Sequence, residues 1–459
     1  MLAARGGQGA DGMLTTEHTT ELASYQGDFD RLAEAATPAP AWLRARRQAA
    51  FDRFAAMGFP TTRQEDWKYT NVAPIARQPF RLAAPPAAVS PAAIAPFGFG
   101  EPGWSQLVFV DGRYAPALSS LAGLPDGVRV TSLADALTED DPLLAQHLGQ
   151  YARDAASSFT ALNTAFLHGG ALVHVPRGRV VEAPIHLLFV STTHDPLGAT
   201  HPRVLVVLGE SSQATVVESY VALGLGQYLT NAVSELVLGE DATLTHYKVL
   251  RESLAAYHVG TTAVYQPRDS VFTSFSLALG ARLARNDLSV LLDAEGADCT
   301  LNGLYLVDGD RHVDNHTAID HAKPHGTSRE LYKGILDGHS RGVFNGKVVV
   351  RPNAQQTDAQ QTNRNILLSE DATIYTKPQL EIFADDVKCA HGAAVGQLDP
   401  QAVFYLRSRG LGPEAARRLL TYGFASEITS QIQIEPLRAQ LDALLLTTVQ
   451  AGSLAKEAS

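Results

Sequence analysis

The middle of the chain is a long series of short apolar runs separated by turn-forming residues. Runs rich in Val, Leu and Thr begin near residue 104, and each is closed by Gly, Asp or Pro. This pattern is typical of β-strands. It continues to about residue 397, with one interruption at residues 140–167, where FTALNTAFL predicts a helical insert. So long a series of strands without alternating helices argues against a doubly wound α/β sheet.

The strand region also contains four similar segments. Each has a leucine, an acidic turn and a small residue that enters the next strand, and the segments begin at Leu208, Leu238, Leu292 and Leu368. Their irregular spacing does not match a strict repeat. Their similarity nevertheless favours stacked rungs, in which each strand pairs with its equivalent one turn away. The pattern predicts a mainly β fold with a solenoid core at residues 104–397, and a large β-sandwich is the alternative.

Helical patterns flank this core on both sides. Residues 17–80 predict an N-terminal helical region, since WLRARRQAAFDRFAAMGFP spaces its apolar residues by three and four positions. The small-residue composition of residues 1–16 predicts a flexible terminus, and the Ala/Pro-rich residues 81–103 predict a linker. Residues 398–459 predict a C-terminal helical region.

Composition and charge limit the class of protein. The chain has 459 residues, a formal net charge of −11 and no run of 18 apolar residues. A nucleic-acid-binding protein normally has a basic surplus, and a membrane-spanning helix needs about 20 apolar residues. We therefore expect neither nucleic acid nor a membrane as a partner. Two cysteines and an N-terminus without the apolar segment of a signal peptide favour a reduced, cytoplasmic setting.

The sequence lacks the usual nucleotide-binding motifs. The segment GVFNGKVV at residues 342–349 has three residues between its glycines, where a phosphate-binding loop has four, and Val348 follows Lys347 in place of Ser or Thr. No dinucleotide fingerprint precedes a helix. With only Cys299 and Cys389, the chain cannot hold an iron–sulfur cluster through four cysteines of its own.

The stretch DVKCAHG at residues 386–392 is the main candidate for chemistry. Cys389 and His391 lie two positions apart, so on a strand their side chains project from the same face. A thiol and an imidazole side by side can ligate one metal ion; alternatively, Cys389 is an ordinary buried residue. The stretch lacks a nucleophile elbow, and too few ligands lie nearby for a closed zinc site. Any remaining ligands would come from elsewhere.

Four histidines form a second group in DRHVDNHTAIDHAKPHGTS. A metal-hydrolase site is one interpretation, but no H-E-x-x-H helix accompanies them. We favour the interpretation that they form hydrogen bonds to turns between rungs or face an interface. The four residues are His312, His316, His321 and His325.

The segment from residue 328 to residue 410 resembles the SufB/SufD family of iron–sulfur cluster assembly scaffolds. The similarity runs without gaps through SRELYKGILDGHSRGVFNGKVVVRPNAQQTDAQQTNRNILLSEDATIYTKPQLEIFADDVKCAHGAAVGQLDPQAVFYLRSRG and continues more weakly over most of the chain. RQEDWKYTNV from Arg63 and DVKCAHGAAVGQLD resemble the SufD members more than the SufB members. The resemblance implies a right-handed parallel β-helix core flanked by N-terminal and C-terminal helical regions, in a scaffold protein that is not an enzyme.

The resemblance also implies partners and a site. In this family one SufB, one SufD and two copies of the ATPase SufC form a complex, and a transient iron–sulfur cluster is thought to assemble where the two β-helices meet. His391 occupies the position of the SufD histidine implicated there, and Cys389 aligns with the cysteine that matters in SufB. The resemblance leaves open whether the complex binds reduced flavin, and a homodimer of the isolated chain is a further expectation.

The resemblance places SufC on the C-terminal helices. We expect the docking surface to consist of apolar, aromatic and basic residues near the chain end, because the solenoid core does not require them. The alternative is that they cap the open end of the solenoid. The candidates are Leu411, Arg418, Leu419, Tyr422 and Phe424.

Two other functions are kept as alternatives. β-Solenoids also include polysaccharide lyases, which are usually exported and bind substrate in acidic, calcium-lined grooves. Here no export signal is seen, and the acidic residues lie mostly at turns. The other alternative is a purely structural partner that only stabilises SufB.

Overall fold

The computed structural model of the protein describes residues 22, 24–34, 39–86, 88–99, 103–155 and 157–450, with the backbone alone at 447–450. The segment 1–16, for which the sequence predicts a flexible terminus, lies outside the described residues.

Strands make up most of the described chain between residues 105 and 396, and helices lie before, within and after them. The strands are β1 (Arg81–Leu82), β2 (Ser105–Val110), β3 (Arg113–Tyr114), β4 (Arg129–Ser132), β5 (Gly170–Val175), β6 (Ile185–Ser191), β7 (Gly198–Thr200), β8 (Arg203–Leu208), β9 (Gln213–Ala222), β10 (Leu229–Val237), β11 (Thr243–Arg251), β12 (Tyr257–Gln266), β13 (Val271–Ala278), β14 (Leu283–Leu292), β15 (Asp298–Val307), β16 (His312–His321), β17 (Thr327–Leu336), β18 (Arg341–Val350), β19 (Asp358–Leu367), β20 (Thr373–Ile382) and β21 (Lys388–Gly396). The α-helices are α1 (Ala41–Met57), α2 (Ala73–Ala76), α3 (Pro91–Ile94), α4 (Leu133–Thr138), α5 (Pro142–His147), α6 (Ser158–Ala165), α7 (Pro400–Ser408), α8 (Pro413–Thr429) and α9 (Glu435–Gln450).

From β8 onward, successive strands alternate between two parallel sheets. Even-numbered strands pair in the order β20-β18-β16-β14-β12-β10-β8, and odd-numbered strands pair in the order β21-β19-β17-β15-β13-β11-β9. Each strand therefore pairs with the strand one turn earlier, and paired residues are 26 to 32 positions apart in the sequence, as in Tyr257 with Leu283 and Arg341 with Thr373. The result is a parallel β-solenoid of about eight turns, which confirms the mainly β solenoid prediction and shows that the sandwich alternative is wrong.

One column of turns explains the repeats seen in the sequence. Ser211, Asp241, Asp269, His325 and Gln356 each have a positive φ, between 53° and 61°. The backbone N–H of each donates to a carbonyl group in the next turn of the solenoid. Short polar residues and histidine tolerate this left-handed conformation better than branched ones. The repeats therefore mark stacked corners, although the fourth one follows β19 in the other sheet.

The interior of the solenoid is filled by columns of in-register side chains. Gly303 on β15 lies opposite Tyr332 on β17, and both are inside the sheet stack. A Cβ atom at Gly303 would overlap the Tyr332 ring, and one at Gly334 would overlap Tyr305. Glycine at these positions leaves room for a large aromatic ring in the neighbouring turn.

Helices pack on the outer faces of both sheets, the N-terminal ones on the even-numbered sheet and the C-terminal ones on the odd-numbered sheet. Residues 24–34 and α1 form an aromatic cluster in which Phe29 stacks on Phe51 at 4.4 Å between ring centroids. α8 and α9 pack on the outer face of the sheet that contains β13 and β15, through residues such as Ile428 and Leu441. No helix in the described residues is long and apolar enough to cross a membrane.

Described parts of the stretch 81–103, for which the sequence predicts a linker, pack against the outside of the solenoid. β1 pairs with β7, and α3 lies in the same stretch. Ile94 packs against Val108 and Leu188, and the buried Phe99 joins the cluster beneath α8 and α9. The alanines and prolines in this stretch thus accompany an ordered connection along the solenoid surface.

A polar pair is buried in the interior near the last turns. Glu330 on β17 accepts a hydrogen bond of 2.7 Å from Gln361 Nε2 on β19, and both side chains are buried. A hydrogen bond with Thr317 on β16 also stabilises the charged form of Glu330, but this effect is smaller than the effect of burial. Burial raises the pKa of Glu330 to about 7, because a charged carboxylate is poorly solvated there.

Gly303→Ala is expected to destabilise the protein by about 1–3 kcal/mol, because the added methyl group overlaps the Tyr332 ring in a closely packed interior. Urea-induced unfolding followed by circular dichroism measures the effect. Gly392→Ala is the matched control, since a Cβ atom at this position on β21 meets no atom within 4 Å. Equal losses in the two variants would contradict this account of the packing.

The wild-type protein is expected to lose stability relative to Glu330→Gln as the pH rises from 5 to 8. The folded state keeps a proton on Glu330 up to a pKa of about 7, whereas the reference carboxyl group loses it near 4.5. The free energy of unfolding therefore falls with pH by as much as about 3 kcal/mol, and the amide removes this dependence. Denaturant unfolding at several pH values tests this, and parallel curves would refute it.

Candidate functional site

Cys389 and His391 lie on the last strand of the odd-numbered sheet. β21 pairs with β19, with Cys389 opposite Ala359 and His391 opposite Gln361. In the described part of the chain no strand pairs with the other side of β21. Ala359 and Gln361 are buried, so both residues of β21 belong to interior columns at the point where the solenoid ends. The predicted strand therefore exists, and it places the thiol and the imidazole on one face.

The two side chains have different surroundings. Cys389 is half-buried and packs against the interior core, whereas His391 is exposed. Burial raises the pKa of the Cys389 thiol, so the sulfur carries a proton near neutral pH. An exposed imidazole and a half-buried thiol are both available donors, and metal binding would displace the proton of the thiol.

The second cysteine is too far away to join this pair. Cys299, Ser328, Ala359 and Cys389 occupy successive positions of one column. Three strand spacings separate the two cysteines, or roughly 14 Å. Among the residues that the structure describes, no three His, Cys, Asp or Glu side chains are grouped closely enough to hold a metal ion. What β21 presents is one thiol and one imidazole.

The same end of the solenoid exposes apolar side chains. β20 is the last strand of the even-numbered sheet, as β21 is of the other. Phe383 directly after β20 is 61% exposed, and Tyr375, Ile382 and Val395 are also exposed. Unpaired edge strands with apolar neighbours are prone to pair with another chain. The donor pair therefore lies within a surface suited to docking.

The four histidines do not come together as one site. His321 is buried and lies 2.9 Å from Ser328 Oγ, and His325 occupies a turn. His312 Nε2 lies 2.8 Å from Thr70 Oγ1, and His316 pairs with Asp314. None of these contacts brings the four histidines together, and the contact of His312 reaches a segment far away in the sequence.

The candidate docking residues at the C-terminal end fall into two sets. Leu411 and Leu419 are exposed, and Arg418 is half-buried. Tyr422 and Phe424 instead pack against the apolar cluster beneath α8 and α9. Lys333 Nζ lies 4.1 Å from the centroid of the Phe424 ring and donates to the Phe424 carbonyl group at 2.8 Å.

Two exposed aromatic residues on α7 were not among the sequence candidates. Phe404 is 72% exposed and Tyr405 is 57% exposed. They lie in PQAVFYLRSRG, next to Arg407 and Arg409, and the Arg409 guanidinium lies 5.2 Å from the centroid of the Tyr405 ring. The sequence feature that could have identified them is a pair of adjacent aromatic residues in a helix that also contains arginine. Sequence periodicity gave no reason to assign them to an uncovered surface.

A groove of about 490 Å³ crosses the outer face of the even-numbered sheet. Its lining includes Trp67, Tyr151 and Arg153 from the segments before the solenoid, together with side chains of the five strands β12, β14, β16, β18 and β20. The sequence gave no sign of this groove, because its lining combines segments that are remote from one another along the chain.

Two family models match the chain over nearly its whole described length. Residues 189–424 match the SufBD core domain of the SUF system for FeS cluster assembly. Residues 22–187 match the N-terminal region of SufBD proteins. The core match contains the solenoid from β7 onward together with Cys389 and His391.

Curated relatives agree with the family models. An iron–sulfur cluster assembly SufBD family protein of Synechocystis is 36% identical over 440 residues, which cover 94% of this chain and 97% of that protein. The iron–sulfur cluster assembly protein SufD of Escherichia coli is 32% identical over 86% of this chain and 90% of its own length. SufD of Bacillus subtilis is 29% identical over 73% of this chain and 78% of its own length. The chain therefore belongs to the SufBD family of iron–sulfur cluster assembly proteins.

Proposed function

We propose that the chain is a scaffold subunit of a SUF complex, that it forms a nascent-cluster site with SufB at the open end of its solenoid, and that it binds the ATPase SufC through its C-terminal helices. The observation that carries the proposal is the position of Cys389 and His391 on an unpaired edge strand. ATP hydrolysis is assigned to SufC, and the complex is assigned to the cytoplasm.

The open end is suited to a second solenoid. β20 and β21 have unpaired backbone groups on their outer edges, and an incoming strand can satisfy these groups and continue each sheet. Exposed Phe383 and Val395 would add apolar contacts. A SufB solenoid docked here would bring its own side chains next to His391, and two copies of this chain could pair through the same edges when SufB is absent.

The donor pair supplies part of a ligand set. An iron–sulfur cluster is commonly held by four ligands, and this strand offers one imidazole and one thiol. The remaining ligands would come from SufB across the interface. We assign His391 as the principal donor or proton carrier, because its imidazole is exposed, and Cys389 as a secondary donor, because its thiol is half-buried and protonated.

The SufC docking surface is assigned to the exposed side of α7 and the start of α8. Leu411, Arg418 and Leu419 stay in this assignment, and exposed Phe404 and Tyr405 join it. Aromatic anchors beside arginines are typical of binding hot spots. Arg407 and Arg409 give this surface local positive charge on a chain with a net charge of −11, so an acidic rim on the partner fits best.

The alternative of a purely structural partner of SufB makes a different prediction for the donor pair. It would use the same open edge and the same apolar contacts, but it would assign no chemistry to His391. The half-buried, protonated Cys389 is compatible with either function. Iron content in a variant complex separates the two.

His391→Ala is expected to leave assembly with SufB and SufC intact and to lower iron and sulfide per complex several-fold. The side chain is exposed, so its loss affects ligation more than folding. Cys389→Ala is expected to have a smaller effect, because the replaced thiol is a secondary donor. Gel filtration checks assembly, and anaerobic purification followed by iron and sulfide determination measures the cluster.

Lys388→Ala is the matched control for this experiment, because Lys388 is an exposed neighbour on the opposite face of β21. It should retain wild-type iron content. Normal iron and sulfide in the His391→Ala complex would exclude the assigned role and favour the structural alternative.

Combined replacement of Phe404 and Leu419 by Ala is expected to weaken SufC binding by roughly tenfold or more, with little change in melting temperature. Both side chains are exposed in this chain, and truncated hot-spot residues typically cost a binding energy of that size. Tyr422→Ala and Phe424→Ala should instead lower the melting temperature, since both pack against the core. Calorimetric titration and thermal unfolding distinguish the two pairs, and the reverse pattern would contradict the assignment.

A further inference from the structure

The segment Glu65–Thr70, called the strap below, crosses the outer face of the even-numbered sheet. It begins with a short 3₁₀ helix at Glu65–Trp67 and lies within the RQEDWKYTNV motif. Its contacts extend from Arg285 on β14, through Asp314 on β16, to β20 at the sheet edge. The strap therefore connects a buried part of the sheet with its last strand.

The inner part of the strap is held by a buried ion pair. The Arg285 guanidinium lies 3.8 Å from the centroid of the Trp67 ring, and it donates to the Asp66 carbonyl group at 2.6 Å and to Asp314 at 2.8 Å. The Thr70 hydroxyl donates to the same carboxylate at 2.5 Å. Arg285 and Asp314 are both buried, so these charge-assisted hydrogen bonds are shielded from water and form a firm anchor.

The outer part of the strap contacts β20 through two exposed pairs. The Tyr69 ring stacks on Tyr375 with 4.4 Å between centroids and 13° between planes. Glu65 accepts from Lys377 Nζ at 2.6 Å. Tyr375 and Lys377 are two positions apart, so both project from the outer face of β20. The strap thus engages side chains and leaves the unpaired backbone edge of the strand open.

These contacts matter because β20 has a ladder of hydrogen bonds on one side only. In the described chain it pairs with β18 and with no strand beyond. Terminal strands open with small free energies, whereas interior strands open only with the whole domain. A partner that binds an already ordered strand does not have to supply the free energy of ordering it.

We propose that the strap locks β20 onto the solenoid and thereby keeps the edge that receives the partner solenoid preformed. The locking of β20 stands on the contacts of this chain alone. Its consequence for docking rests on the proposed function, in which SufB binds at this edge. The RQEDWKYTNV motif then has a physical role: its inner residues anchor the strap and its outer residues hold the edge strand.

The first test measures the order of β20 in the isolated chain. The double variant Glu65→Gln/Tyr69→Ala removes the stacked ring and the negative charge that pairs with Lys377, but keeps Trp67 and Thr70 at the anchor. Hydrogen exchange followed by mass spectrometry is expected to show about tenfold faster exchange in peptides from β20, the size expected for one aromatic stack and one exposed ion pair. Peptides from β14 and β16 and the melting temperature should change little.

Two further variants make this result specific. Arg63→Ala alters an exposed residue just before the strap, whose N–H is bonded to Thr61, and it should leave β20 unchanged. Glu65→Gln/Tyr69→Phe keeps the ring and should restore most of the protection. Unchanged exchange in β20 of the Glu65→Gln/Tyr69→Ala variant would overturn the proposal, whatever the partner does.

The second test measures binding of the purified SufB–SufC complex to the same variants. A several-fold loss of affinity in Glu65→Gln/Tyr69→Ala, reversed in the Phe variant, is expected. Faster hydrogen exchange in β20 with unchanged affinity for the SufB–SufC complex would show that the strap does not prepare the edge for docking. Phe383→Asp tests the docking edge independently: if it too leaves the affinity unchanged, the edge proposed for SufB is wrong, while the exchange result still decides whether the strap locks β20.

Discussion

In a parallel solenoid each strand obtains its hydrogen bonds from the strands one turn before and one turn after it. The first turn and the last turn therefore each have one unsatisfied edge unless something else covers it. Here the N-terminal end finishes with short antiparallel pairings, β3 with β2 and β4 with β5. At the C-terminal end β20 and β21 have no such closing strand among the described residues. This asymmetry places the candidate chemistry and the candidate docking surface at one end.

The strand register also determines which polar side chains lie in the interior next to the open edge. Because strands stack without slipping, the column that contains His391 on the surface contains Gln361 and Glu330 in the interior. Sheet geometry thus places the buried carboxyl group of Glu330 two strands behind an exposed imidazole. The large rings of Tyr305 and Tyr332 are accommodated only because glycines face them. A one-residue slip would reverse the faces and destroy all of these relationships.

The sequence predicted the parts of the structure that depend on local pattern. Strand runs, turn residues and the shared face of Cys389 and His391 follow from a period of two and from the residues that end each strand. The contacts that the pattern missed join distant residues: Thr70 meets His312 across 242 positions, and Glu65 meets Lys377 across 312. The exposure of residues on the C-terminal helices also depends on long-range packing. Which aromatic residues are covered depends on how α8 packs on the sheet, so Tyr422 and Phe424 are packed while Phe404 is exposed.

An incomplete site at an edge has a physical consequence for the proposed scaffold. A closed set of four ligands within one chain would hold a cluster tightly. Release would then be costly, because all four bonds to a rigid ligand set would have to break. Two donors on an edge strand bind weakly alone and become a full site only when a second chain adds its own ligands. Cluster retention in the proposed complex then depends on the geometry of the interface. A small separation of the two solenoid edges would break the bonds between the cluster and one of the two chains. In the proposed complex, the position of His391 and Cys389 on β21 makes cargo binding depend on subunit contact.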